Sequence, residues 1–106
     1  MYHNFKDLKV YKLAFQLAIE IFAISKKFPK EERYSLIDQI KRSSRSVCVN
    51  IGEGYRKRKY PKHFVSKITD ADMEYAESQI WLDFAYACKY ITEIELNGLI
   101  NKSMEV

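Results

Sequence analysis

A chain of 106 residues that is 47% hydrophobic, with three glycines and two prolines, can bury one core, and its composition favours a single helix-rich domain over residues 1–106. No apolar run reaches the roughly 18 residues that span a bilayer, and the N-terminus lacks the pattern of a signal peptide, so we expect a cytosolic protein. The net charge of +4 hides an asymmetry: residues 41–62 carry eight cations against Glu53 alone, whereas residues 70–106 carry eight acidic residues against two lysines. Such asymmetry bears on partners rather than on fold.

The first predicted helix begins at Asn4, where Asp7 three residues later completes an N-terminal capping box. Its apolar positions occupy most of the helix circumference, which indicates a helix that is either central or covered by another subunit. We expect it to end at Phe28-Pro29, because the residue before a proline avoids the α conformation.

The second predicted helix begins at Pro29 or, after a turn, at Ser35, which forms an S-x-x-D cap with Asp38. Gly54 suits the left-handed position just past a helix end. At 100° per residue, the apolar face of this helix consists of Leu36, Ile40, Val47 and Ile51.

A second row of hydrogen-bonding side chains lies beside that apolar face and consists of Gln39, Arg42, Ser46, Asn50 and Glu53. Polar groups next to a core are costly unless they find partners. Arg42 and Glu53 lie about three turns apart and cannot pair within one helix. We therefore predict a structural polar network with partners from other helices or subunits, with Glu77 as the partner of Arg42.

Pro61 predicts the start of a third helix, because its missing N–H needs no partner at the first position. Trp81 lies away from the apolar face of this helix, and it is either a partly exposed aromatic or an anchor in a subunit interface. The predicted inner face consists of Phe64, Ile68, Ala71, Tyr75, Gln79, Leu82 and Tyr86.

Thr92 and Glu95 form a full capping box for a fourth helix, and Ile91 and Leu96 are placed to form its hydrophobic staple. Residues 93–106 give about 21 Å of helix against about 30 Å for the first helix, so part of the groove between the neighbours should stay open. The predicted fold is all-α, an antiparallel up-down-up-down four-helix bundle with a short fourth helix.

Catalytic and metal-binding patterns are sparse, so we expect no enzyme, no cofactor and no metal site. His3 and His63 form no readable triad or dyad. Cys48 and Cys88 lack a CxxC spacing, which favours reduced, packed thiols over a disulfide or a zinc site. The third-helix carboxylates lack the Glu-x-x-His of di-metal bundles, which favours a solvated acidic face or pairing with the basic segment of another subunit; they are Asp72, Glu74, Glu77 and Asp83.

Four consecutive cations beside Tyr55 and Tyr60 combine phosphate-binding charge with rings that can stack on bases. A solvated loop with helix-end cations explains the same run equally well. If nucleic acid binds, the contacts should be backbone-directed and salt-sensitive. The candidate residues are Arg56, Lys57, Arg58, Lys59 and Lys62, with Lys41 and Arg45 extending the patch from the second helix.

The motifs F-P at Phe28, Q-x-x-R at Gln39 and S-x-x-x-N-I-x-E-G from Ser46 resemble the four-helix-bundle family of 23S ribosomal RNA intervening-sequence proteins, which is similar to accessory proteins of diversity-generating retroelements. The chain departs from the family at Tyr11, where a tryptophan is typical, and at Met73-Glu74, where a Gly-Ser pair is usual. Relatives also continue the fourth helix for several turns.

The resemblance implies a ring-like homopentamer without enzymatic activity and a basic surface that binds nucleic acid. It also implies a reverse transcriptase as a candidate partner. Our leading hypothesis is a non-catalytic homo-oligomeric bundle that binds RNA or DNA backbone. The alternative is a scaffold or adaptor whose basic and acidic faces pair between subunits, with no nucleic-acid role.

Overall fold

The protein, described here by a computed structural model over residues 4–105, consists of four α-helices connected by short turns. These are α1 (Lys9–Ser25), α2 (Leu36–Arg56), α3 (Pro61–Ala87) and α4 (Glu93–Glu105), with single 3-10 turns at Phe5–Asp7 and Lys30–Glu32. No strand occurs in this part of the chain, so the all-α prediction is confirmed. None of the described helices has both the length and the apolarity needed to cross a membrane.

Contacts near both ends of the helices show how the bundle is arranged. At one end, Glu53 of α2 pairs with Lys67 of α3, and at the other end Tyr90, after α3, bonds to Glu32, before α2. Lys27, after α1, forms an ion pair with Glu95 in the first turn of α4. Phe5, before α1, packs on Gly52 near the end of α2. α2 therefore runs antiparallel to α1 and to α3, and α4 starts at the end of the bundle where α1 and α3 finish.

The short fourth helix divides the bundle into two halves with different cores. One core cluster includes residues of all four helices and of the connections that contain Phe28 and Ile91, and its members Ile21, Ile40 and Leu82 are fully buried. The second cluster contains only residues of α1, α2 and α3. An apolar groove of about 230 Å³ remains open there, as expected from the length of α4. It is lined by Val10, Val47, Ile51, Ile68, Ala71, Asp72 and Tyr75.

Two predicted capping boxes form, one of them on an unexpected element. The Glu95 amide donates to Thr92 Oγ1 at 3.1 Å and the Thr92 amide donates to Glu95 Oε1 at 2.8 Å, which confirms the start of α4. The Asn4–Asp7 box forms as well, but it caps the 3-10 turn. Leu8 is extended after that turn, so α1 begins at Lys9 rather than at Asn4.

Two predictions for α2 are wrong. Ser35 precedes the helix, but its hydroxyl donates to Glu32 and not to a helix amide; Glu32 itself accepts from the Leu36 amide at 3.4 Å. Gly54 does not adopt a left-handed conformation, because the helix continues to Arg56. Its lack of a side chain serves close packing instead, since a Cβ there would lie 3.1 Å from Ile68 Cδ1.

The interface between α2 and α3 is the most extensive in the bundle, and two serines meet at its centre. Ser43 Oγ and Ser78 Oγ lie 2.8 Å apart, and both residues are buried. One hydroxyl donates to the other, which in turn donates to a carbonyl of its own helix; the carbonyls within reach are Ile40 O for Ser43 and Glu74 O for Ser78. Small side chains with satisfied hydroxyls therefore let the two helices approach closely.

The inner face of α3 matches its prediction only in part. Pro61 is the first residue of the helix, and Ala71 and Leu82 are buried as expected. Phe64, Ile68 and Tyr86 are exposed, whereas Ser78 and Ala85 are the other buried positions. Trp81 is half-buried against the core and beside Phe84, and both of its predicted roles, a partly exposed aromatic or an anchor in a subunit interface, stay predictions.

Candidate nucleic-acid interface

The turn between α2 and α3 carries the basic run of the sequence, and its backbone explains why the run is exposed. The Lys57 amide closes α2 with bonds to the carbonyls of Glu53 and Gly54 at 3.2 and 2.9 Å. The Tyr60 amide then donates to Lys57 O at 2.8 Å, and Pro61 starts α3. We name the five cations at this turn, Arg56, Lys57, Arg58, Lys59 and Lys62, the basic turn.

All five side chains of the basic turn are exposed. The Arg58 guanidinium lies 4.2 Å from the centre of the Tyr55 ring and donates to Tyr55 O at 2.9 Å. Lys57 Nζ lies 5.8 Å from the centre of the Tyr60 ring. Across residues 4–101, no carboxylate lies within ion-pair distance of the five cations. Arg58 and Lys57 each lie beside a tyrosine ring, and their positive charges are available to bind an anionic partner.

Glu53, the single acidic residue near the basic turn, is already neutralised. Lys67 Nζ donates to Glu53 Oε1 at 2.9 Å, and this bond with its attendant attraction raises the pKa of Lys67. The ion pair joins the end of α2 to the start of α3. The field around the turn is therefore positive at neutral pH.

Lys41 and Arg45 do not extend the basic turn. Together with Lys26 they surround the ring of Phe22, at 5.6, 5.7 and 4.7 Å from its centre, respectively. Arg45 lies eleven residues before Arg56, which is about 16 Å along α2. The structure thus places the seven predicted cations in two groups: the basic turn, and the two residues beside Phe22.

Within the chain, the polar network predicted on α2 has one of its expected contacts to another helix, from Glu53 to Lys67 of α3, but the predicted pair of Arg42 with Glu77 does not form. Arg42 pairs with Asp38 of its own helix at 3.0 Å, and not with Glu77. Asn50 donates to the Ser46 carbonyl one turn earlier at 2.9 Å, and Glu53 bonds to Lys67. Gln39, Arg42 and Glu53 are exposed, because this row lies on the outer flank of α2. The sequence gives a helix's angular pattern but not its rotation in the bundle, so it could not show how deeply this row is buried.

Three carboxylates of α3 lie close together, and Arg42, which was predicted to pair with Glu77, bonds to Asp38 instead. Partial burial raises the pKa of Glu74, and repulsion from the neighbouring Glu77 and Asp70 raises it further. We name Asp70, Glu74 and Glu77 the acidic cluster. It lies beside an exposed apolar row on the same helix, formed by Met73, Ile80 and Phe84.

Among the residues described, no three His, Cys, Asp or Glu side chains are placed to hold a metal ion. Both cysteines are free; Cys48 is buried, which raises its pKa to about 11, whereas Cys88 is exposed, contrary to the expectation of packed thiols. His63 packs edge-on against Tyr60 at a centroid distance of 6.4 Å. His3 lies outside the described residues.

One feature beside the basic turn was missed by sequence reasoning, a cleft between the start of α1 and the last turns of α2. It brings aromatic residues from the N-terminus next to Arg56, and these are far apart in the chain. The available signal was Gly52, whose missing Cβ lets the Phe5 ring approach α2.

Comparison with known proteins agrees with this architecture. A solved structure, that of a protein of unknown function from the S23 ribosomal protein family of Bacteroides thetaiotaomicron, is similar at 27% identity with a TM-score of 0.80. The similarity covers 91% of this chain and 86% of that one. No curated protein matches the sequence. The family model described as 23S rRNA-intervening sequence protein matches residues 6–106, and the chain therefore belongs to the 23S rRNA-intervening sequence protein family.

Proposed function

We propose that this protein is a non-catalytic, homo-oligomeric bundle that binds the backbone of RNA or DNA through the basic turn. The observation that supports this most directly is the concentration of five exposed cations, without carboxylate partners in the described chain, at one end of the bundle. Phosphates are the biological anions best matched to clustered Arg and Lys side chains. Membership in a family associated by name with ribosomal RNA is consistent with that ligand.

Binding through the basic turn should depend on charge rather than on sequence. Flexible lysines and arginines at a helix end neutralise phosphates wherever these lie, and they present no fixed fork toward a base edge. The Arg58 guanidinium is fixed by Tyr55, but it faces that ring and its carbonyl. Affinity should therefore fall steeply with salt, with a slope of log K against log salt of about 0.7 to 0.9 per phosphate neutralised.

Self-association is supported by two exposed apolar faces with opposite charges beside them. On α1, Phe15 and Ile19 are about half exposed, and cations surround the neighbouring Phe22. On α3, Met73 is 67% exposed, within the apolar row beside the acidic cluster. Apolar faces of this kind on a soluble domain mark interaction sites. Two different, complementary faces on one subunit favour a head-to-tail assembly, the type of interface from which rings are built.

The test of nucleic-acid binding is salt-dependent retention of labelled RNA and DNA by the intact protein. Replacing residues 56–59 by alanine should lower affinity at least tenfold at 0.1 M salt and should reduce the salt slope by about 3, because up to four phosphate contacts are lost. The matched control removes the same charge at the other end of the bundle and should bind almost as the wild type does. It carries alanine at Lys30, Arg33, Arg42 and Lys89, and it leaves Lys26 in place beside Phe22.

The scaffold alternative predicts a different result for the alanine variant of residues 56–59 and for the wild type. If basic and acidic faces pair only between subunits, the alanine variant of residues 56–59 would dissociate the oligomer and wild-type protein would retain no nucleic acid. Light scattering coupled to size exclusion measures the first effect. Ile19→Glu should dissociate the oligomer by placing a charge on the apolar face of α1, whereas Ile94→Glu, at an 84% exposed position of α4, should leave it intact.

A further inference from the structure

A cleft of about 280 Å³ adjoins the basic turn where the N-terminal segment crosses α2. Its walls include the rings of Phe5 and Tyr11, which meet edge to face with centroids 5.2 Å apart. Gly52 forms part of the floor; a Cβ there would lie 3.2 Å from the Phe5 ring, so this ring packs directly on the helix. Apolar and aromatic surface of this kind suits a flat, apolar ligand.

Two charged side chains, Glu53 and Arg56, line the same cleft. Arg56 also belongs to the basic turn, so a ligand in the cleft would lie within one side chain of the phosphate-binding cations. Glu53 is acceptor-only when ionised, and Lys67 already occupies its Oε1. A planar ligand with N–H donors on one edge could donate to Glu53, and a phosphate attached to it could pair with Arg56.

Building on the proposed function, we propose that this cleft receives one unpaired base of a single strand whose phosphates lie along the basic turn. In a duplex the faces of the bases are stacked and their edges paired, so a double strand can offer only its backbone. A single strand can turn one base out to pack on Phe5 and Tyr11, a contact that is available to every base. The carboxylate favours guanine, whose adjacent N1–H and N2–H groups both donate.

The experiment compares a fluorescent 12-nucleotide single strand, as RNA and as DNA, with a duplex of equal length, by anisotropy with the intact protein. The wild type should bind at least one single strand more tightly than the duplex. Phe5→Leu, which keeps apolar volume but removes the ring, should weaken single-strand binding at least fivefold and leave duplex binding unchanged. The matched control is Phe64→Leu, near the basic turn but outside the cleft, which should change neither.

The folding of each variant is checked by its melting temperature, and Tyr11→Leu provides a second removal of a ring should Phe5→Leu unfold. Equal affinity for single strand and duplex, with both ring variants unchanged, would refute the base cleft while leaving the basic turn as a backbone site. If no polynucleotide bound in a salt-dependent manner, the proposed function itself would fail. Glu53→Gln should reduce the preference for a guanine over an adenine at the central position, and an unchanged preference would overturn the role of Glu53.

Discussion

A pair of glycine substitutions measures how closely α2 and α3 are packed. Gly54 lies in α2 facing α3, where a Cβ would lie 3.1 Å from Ile68 Cδ1 and 3.3 Å from Lys67 Cβ. Gly98 lies in α4, and a Cβ there would meet nothing within 4 Å. In both helices alanine gains about 1 kcal/mol over glycine through helix propensity. The two substitutions therefore share the gain in helix propensity and differ only in the contacts of the added methyl group.

The difference between the variants isolates the cost of crowding. Gly98→Ala should raise the free energy of unfolding by about 1 kcal/mol, which is about 4 °C in melting temperature for a domain of this size. Gly54→Ala adds a methyl group to a filled interface, which typically costs about 1–3 kcal/mol, so it should be neutral or destabilising by up to about 2 kcal/mol. Urea unfolding followed by circular dichroism measures both. Equal stabilisation by the two substitutions would refute the close approach of α2 and α3.

Three further predictions concern polar and backbone details. Ser43→Ala should cost about 1 kcal/mol of unfolding free energy, and the double variant with Ser78→Ala should cost less than the sum of the two single variants, because either single variant already removes the bond between the two hydroxyls. Lys89→Gly should stabilise by about 1 kcal/mol, because Lys89 has a φ of 63° that favours glycine. Hydrogen bonds from Ser35 and Tyr90 lower the pKa of Glu32 below its ordinary 4.5. Because the pKa is lower in the folded state, the ionised Glu32 adds to the free energy of unfolding above pH 4.5, and this stabilisation is lost as the pH falls through the folded-state pKa. Glu32→Gln lacks the titrating group, so its free energy of unfolding should fall less steeply than that of the wild type between pH 5 and 3.

Each of these three predictions has a control that distinguishes its specific effect from a general loss of stability. The serine result is contradicted if the two single effects simply add. Lys89→Ala tests the backbone argument, because alanine keeps the strained conformation and should bring no gain. For Glu32, a variant whose unfolding midpoint falls with acid as steeply as that of the wild type would show that the carboxylate contributes nothing.

Signals confined to one turn of helix were the ones that sequence reasoning interpreted correctly. Thr92 and Glu95 predicted the start of α4 to the residue, and Pro61 did the same for α3. Each signal involves groups within four residues, whose spacing is fixed once the helix forms. The predicted Ser35 cap does not form, although it too is local. The Ser35 hydroxyl donates to Glu32 instead, and Glu32 also accepts a hydrogen bond from Tyr90, which follows α3.

The candidate site shows the same division. The run of cations at 56–59 and its exposure beyond the end of α2 follow from the sequence. The location of Lys41 and Arg45 around Phe22 does not, because it depends on how α1 is rotated against α2. The cleft at Phe5 could not be predicted from the sequence either, because it forms only where the N-terminal turn crosses α2 at Gly52.

By itself the sequence determined four helices, their order, the short fourth helix and a basic connection between the second and third. Helix periodicity, caps and prolines act over a few residues and need no partner. Only the tertiary structure decided which polar side chains of different helices meet: Ser43 meets Ser78, and Glu53 pairs with Lys67. The reason is geometric, since a rotation of 100° per residue carries a side chain from core to solvent, and that rotation is set by packing between residues distant in the chain.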